Sequence, residues 1–170
     1  MKLQKGDWSR HRPCPTGERG FTLVETLVVV FLMGIAATIA VGGYQAYAKS
    51  AEHSGTRNDV VSALRAAHQR ALAEATVYCV RFAPDGKTWT TYRGTCSSGT
   101  HVKGPEEVGG AQISLADVSF LRSDGTPGSR DVEFTARGTA SKGSLKVVRS
   151  DSSKTYTVSV EGLTARVSSS

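Results

Sequence analysis

From Phe21 to Val41 the chain runs through 21 residues with one charge, Glu25, and three threonines. As a helix, roughly 20 apolar residues cross the hydrocarbon core of a bilayer. The sequence as a whole is ordinary: of its 170 residues, 39% are hydrophobic and 21% charged, as in typical globular proteins. Collagen-like, low-complexity and wholly disordered chains are thereby excluded, and the length suits one domain with an appendage. Three cysteines are too few for a disulfide-built scaffold.

Charge gives the apolar run a direction. The net charge is +6, of which residues 1–20 supply +3 and residues 137–170 supply +4, while the stretch between them sums to −1. Lys2, Lys5, Arg10, Arg12 and Arg19 precede the run, among Gly6, Pro13, Pro15 and Gly17 and few large apolar groups. Residues 1–20 therefore read as a basic flank without folded structure. Basic flanks stay cytoplasmic, so the C-terminal part is expected outside. A basic chain also raises nucleic acid as a partner, but half of this charge is explained by topology.

Glu25 is the informative residue. A carboxylate in a membrane segment costs up to about 2.5–3.5 kcal/mol at the helix centre and less near the end. Either Glu25 reaches the headgroups, or it meets a cation in an assembled state. The run itself has three readings. It is a plain signal-anchor, or a secretory signal cut after Ala48 at the small-x-small sequence Ala46-Tyr47-Ala48, or a retained segment of a third kind.

The third reading comes from a resemblance. Gly20-Phe21-Thr22-Leu23-Val24-Glu25, ahead of the apolar run, resembles the class III signal of type IV prepilins and type II secretion pseudopilins. The resemblance implies cleavage between Gly20 and Phe21 by a prepilin peptidase on the cytoplasmic side. It implies N-methylation of Phe21 and retention of the segment as anchor and later as filament core. It also places Glu25 against the amino-terminal cation of a neighbouring subunit, where two opposite charges in an apolar bundle fix axial register. Many relatives carry a proline near the outer end of the segment. Here Gly42-Gly43 stands in its place, read as a flexible joint or as a close helix–helix contact.

Beyond Lys49 the helical period continues. Val60/Val61, Leu64, Ala67, Ala71/Leu72 and Ala75 share one face, so helix is expected from Phe21 to about Ala75, with Gly55 as a weak point. From Thr76 the period becomes two. Pro84-Asp85-Gly86-Lys87 marks a hairpin turn between Val77–Phe82 and Thr88–Arg93. Further strands are expected at Gln112–Leu115, Val118–Leu121, Val132–Thr135, Leu145–Arg149, Thr155–Glu161 and Leu163–Val167, with loops at 97–110 and 123–130. The fold class is α+β: a long N-terminal helix, transmembrane in its first half, packed on an antiparallel sheet domain. Order and details resemble the GspH/FimT branch of minor pseudopilins and minor pilins over nearly all of 20–170. Three segments follow: a leader, 1–20; a membrane and filament-core helix, 21–48; and an extracytoplasmic domain, 49–170.

Few residues suggest chemistry. Cys14 lies in the leader, which leaves Cys79 and Cys96. In the expected hairpin Cys79 faces Tyr92, so a bond to Cys96 requires the chain to fold back after Gly94; two free thiols are the other reading. His11, His53, His68 and His101 are scattered, without zinc or EF-hand spacing. Asp124-Gly125-Thr126-Pro127-Gly128 reads as a turn. No nucleophile elbow or phosphate loop occurs, so neither an enzyme nor a cofactor is expected. Some FimT-like relatives bind DNA through a Gly-Arg-x-Arg tail. Here Gly162-Leu163-Thr164-Ala165-Arg166-Val167-Ser168 keeps only Arg166 in register. Lys142, Lys146, Arg149, Lys154 and Arg166 form either a phosphate-binding patch or a solvated sheet face. The implied partners are other pilins or pseudopilins, the prepilin peptidase and the cytoplasmic membrane. A DNA-binding receptor pilin and a released β-domain are the alternatives.

Overall fold

The computed structural model describes residues 22–122 and 125–170. The expected cleavage bond Gly20–Phe21, the leader and Asp124 lie outside the described residues. The chain divides into two units, Met1–Gly43 and Tyr44–Ser170. The division falls at the Gly42-Gly43 pair, although the helix α1 (Leu23–Ala73) is assigned without a break at either glycine or at Gly55.

In the second unit α1 buries His53, Thr56, Val60, Val61, Leu64, Ala67 and Ala71. These recur at three- and four-residue intervals, so they form one stripe. Leu72 is outside that stripe and exposed. The helix closes with two bonds, Ala75 N–H to the Leu72 carbonyl at 3.4 Å and Thr76 N–H to the Ala71 carbonyl at 3.2 Å. That is a Schellman cap, and it puts Ala75 at φ 49°, where a Cβ is crowded. Ala75→Gly should therefore raise stability by about 0.5–1 kcal/mol. A urea midpoint that falls instead contradicts this account of the cap.

Eight strands follow: β1 (Tyr78–Phe82), β2 (Thr88–Arg93), β3 (Thr100–Glu107), β4 (Ile113–Phe120), β5 (Asp131–Phe134), β6 (Gly143–Arg149), β7 (Thr155–Val160) and β8 (Val167–Ser169). They form two antiparallel four-stranded sheets, ordered β3-β2-β1-β5 and β4-β6-β7-β8. The core brings Val60, Leu64 and Ala67 of α1 together with Val80, Phe82, Phe134, Ile113, Leu145, Val147 and Val158 from both sheets. The rings of Phe82 and Phe120, one from each sheet, lie 6.2 Å apart.

Three strand readings need correction. Residues 97–110 are not all loop, since β3 occupies Thr100–Glu107. It is an exposed edge strand containing Gly104 and Pro105, and its register with β2 shifts twice; an edge tolerates proline where a central strand does not. Gln112–Leu115 and Val118–Leu121 are one strand, β4, with an irregularity between Ala116 and Ser119 and Asp117 at φ 47°. The bulge moves the buried positions from Ile113 and Leu115 to Val118 and Phe120, and this phase change reads in sequence as a break. The last strand begins at Val167, not Leu163. Ala165 at φ 49° prevents an extended chain there, and Leu163 is left 89% exposed.

The hairpin turn also ties the sheets together. Gly86 adopts φ 68°, and its carbonyl accepts the Leu115 N–H at 2.8 Å. A Cβ on Gly86 would overlap the Leu115 carbonyl. Gly86→Ala combines left-handed strain with that overlap and should cost about 2–4 kcal/mol. A loss within the ordinary surface range in urea unfolding would show that the turn does not hold the sheets.

Candidate assembly site

The first stretch of α1 carries the charge singled out in the sequence. Thr22 precedes the helix, and its Oγ1 accepts the Glu25 N–H at 3.2 Å. Thr22 is thus the N-cap and Glu25 the third helical residue, a Thr-x-x-Glu capping box. The more conspicuous charge masks this signal in the sequence. Only the threonine half is made. Among the described residues, nothing hydrogen-bonds or pairs with the Glu25 carboxylate. The other hydroxyls of the segment are satisfied locally, Thr26 Oγ1 by the Leu23 carbonyl at 2.8 Å and Thr38 Oγ1 by the Ile35 carbonyl at 2.7 Å. Both bonds let a polar side chain sit in an apolar helix without a solvent partner.

The rest of the segment is apolar on every face. Leu27, Phe31, Met33 and Ile39 are 63%, 66%, 66% and 72% exposed. α1 is long and apolar enough to cross a membrane, by length and composition. A helix hydrophobic all round needs an apolar environment, and among the described residues none buries this window.

In the second unit the junction between helix and sheet is stapled twice. Glu74 accepts the Tyr78 hydroxyl at 2.7 Å and pairs with Arg93 Nε at 2.8 Å. Its bond holds the Tyr78 phenol above the usual tyrosine range, with burial adding in the same direction. Beside this staple, Cys79 and Cys96 are joined by a disulfide, with Cα atoms 5.3 Å apart. Cys79 stands opposite Tyr92 in the β1–β2 register, and the turn after Gly94 returns Cys96 to it. Arg81 and Asp131, paired across β1 and β5, make two bonds of 2.9 and 3.0 Å.

The basic residues on and before β6 are spread out rather than gathered. Lys142, just before β6, and Arg149 at its far end stand about 23 Å apart along the strand. Lys146 points outward from β6, between the buried Leu145 and Val147, and pairs with Asp117 at 2.8 Å. Arg149 lies on the opposite face in contact with Asp151. Lys154 lies over the Tyr156 ring at 5.0 Å. Lys142 and Arg166 are exposed. Lys142, Lys146 and Arg149 thus do not converge, as phosphate binding on β6 would require. Among the described residues no group of three His, Cys, Asp or Glu could hold a metal ion.

A capped apolar helix with an uncommitted carboxylate in its first turn, leading into a helix-and-two-sheet domain, defines a pilin-like subunit. The prokaryotic N-terminal methylation motif matches residues 16–41, and the type II transport protein GspH family matches residues 56–164. The chain belongs to the GspH family. Among solved structures it is similar to the type IV minor pilin FimU of Pseudomonas aeruginosa, with 14% identity and a TM-score of 0.52 over 72% of this chain and 90% of that one. It is also similar to the minor pseudopilin EpsH from the type 2 secretion system of Vibrio cholerae, with 13% identity and a TM-score of 0.52 over 69% and 95%. At such identities the likeness is one of fold. No curated protein matches the chain.

Proposed function

We propose that this protein is a minor pilin or pseudopilin, a structural subunit of a type IV pilus or type II secretion filament. It enters the cytoplasmic membrane through residues 21–48, with residues 49–170 outside the cytoplasm. A prepilin peptidase cuts it between Gly20 and Phe21, and Phe21 becomes N-methylated. The helix then passes from lipid into the filament core, where Glu25 meets the amino-terminal cation of a neighbouring subunit. The observation that carries this reading is the exposed apolar helix whose carboxylate has no partner among the described residues. Lipid accommodates the apolar surface, whereas assembly accommodates both the surface and the charge. The subunit's role is mechanical, in starting or capping a short filament, rather than catalytic.

Sequencing the mature amino terminus tests the processing step. Methylated Phe21 is the expected first residue. Lys49 in that position would mean release by signal peptidase and would overturn the filament reading.

A further inference from the structure

The membrane-side start of the second unit carries side chains that the assembly role leaves unused. Tyr44 and Tyr47 are each 73% exposed, and Lys49 follows them. Lys49, His53 and Arg57 recur every four residues and so form one stripe on α1. His53 is 2% exposed; its Nε2 donates to the Val147 carbonyl at 3.1 Å, and its ring lies 4.7 Å from that of Tyr156. These contacts seat the β6–β7 turn beside the stripe. In that turn Asp151 meets both Lys49, at 3.8 Å, and Arg149. Arg57 and Lys154 lie over the Tyr156 ring at 4.7 and 5.0 Å.

Lys49 and Arg149 thus share one carboxylate, Asp151, while Arg57 and Lys154 share the Tyr156 ring that follows it in β7. The acid nearest in sequence on the helix, Glu52, lies instead against Gly110. Lys49 keeps 54% of its side chain exposed despite its ion pair. Only Gly42 to Ala48, all uncharged, separate this group from the apolar run. Exposed tyrosines beside an apolar span favour the headgroup layer, and lysines there are attracted to anionic lipid. Both features follow directly on the membrane segment, which argues for lipid over any partner that approaches from solution.

We propose that Tyr44, Tyr47, Lys49 and Lys154 form an interfacial collar that binds anionic phospholipid headgroups before the subunit leaves the membrane. The inference rests on the membrane-anchor reading above. The test uses the full chain in nanodiscs of phosphatidylcholine, with and without phosphatidylglycerol, and native mass spectrometry to count the lipids retained. The native chain should retain phosphatidylglycerol in preference to phosphatidylcholine. Each lysine near an anionic surface is worth about fivefold, so K49Q/K154Q should lower that preference about 25-fold. Both side chains are exposed, and an intact disulfide reports that the variant has folded. Equal retention of the two lipids by the native chain overturns the collar but leaves the anchor standing. Failure to enter either nanodisc overturns the anchor reading and the collar with it. Duplex DNA that displaces phosphatidylglycerol from the native chain, but not from the double variant, would assign the lysines to nucleic acid and overturn the lipid proposal.

Discussion

Glu25→Ala should leave membrane insertion intact and reduce incorporation into filaments by about a hundredfold or more. Insertion is unharmed because alanine removes a charge that lipid tolerates poorly. On the proposed pairing, assembly should suffer because the neighbouring amino-terminal ammonium would keep its charge and lose its partner. Breaking a desolvated ion pair on one side costs about 3–5 kcal/mol, which corresponds to roughly a hundredfold to several thousandfold in a binding equilibrium. The capping box supplies the necessary control. Glutamine serves at the third helical position of such a box as well as glutamate does, so Glu25→Gln preserves the helix start and removes only the charge. Subunit levels in sheared filaments, compared with those in membranes, give the readout. Loss in both variants supports the ion pair. Normal incorporation of the glutamine variant beside a failing alanine variant would assign Glu25 to helix capping alone.

Elements whose signal is local are legible in the sequence. The helix from Leu23 to Ala73 follows from apolar content and then from a 3.6-residue period. The β1–β2 hairpin follows from Pro84-Asp85-Gly86 between alternating residues, and Cys79 does stand opposite Tyr92. Elements that depend on partners distant in sequence are not legible. β3 shows little alternation because its residues are largely exposed at a sheet edge. β4 looks like two strands because Asp117 shifts the phase by one residue. The division into two sheets is set by strand pairing between β4 and β6, which no local pattern encodes. At the site the contrast is the same. Glu25 stands out because a charge in an apolar run is costly. The basic residues of β6 and its flanks look like a patch in sequence, yet strand alternation and strand length separate them. Thr22 is the exception, because Thr-x-x-Glu before an apolar run is a local capping signal that the charge of Glu25 overshadows.

Removing the disulfide should be among the more damaging changes to the second unit that leave the backbone path unaltered. The bond joins residues 17 apart in sequence, and a loop of that length restricts the unfolded chain by about 3 kcal/mol. Its position adds to this. Cys79 and Cys96 are 0% and 6% exposed, and the bond fastens the 94–99 turn to the central strand β1, next to the Glu74 staple. Reduction also leaves two buried thiols in a tight turn, where Gly99 already lies against the Thr95 and Arg93 carbonyls. C79A/C96A avoids burying a hydroxyl and should lose about 3 kcal/mol in urea unfolding, whereas C79S/C96S should lose more, since a buried hydroxyl without a partner adds its own cost. The native domain should fall to about the stability of the alanine pair when a strong reductant is present. If cleavage after Gly20 removes Cys14 as proposed, the processed subunit should show no alkylatable thiol under non-reducing conditions, and its unprocessed precursor should show one. Two reactive thiols in the folded, processed subunit would remove the disulfide from the account. They would also remove a support for placing residues 49–170 outside the cytoplasm, because such a bond persists in an oxidising compartment and is rare in a reducing one.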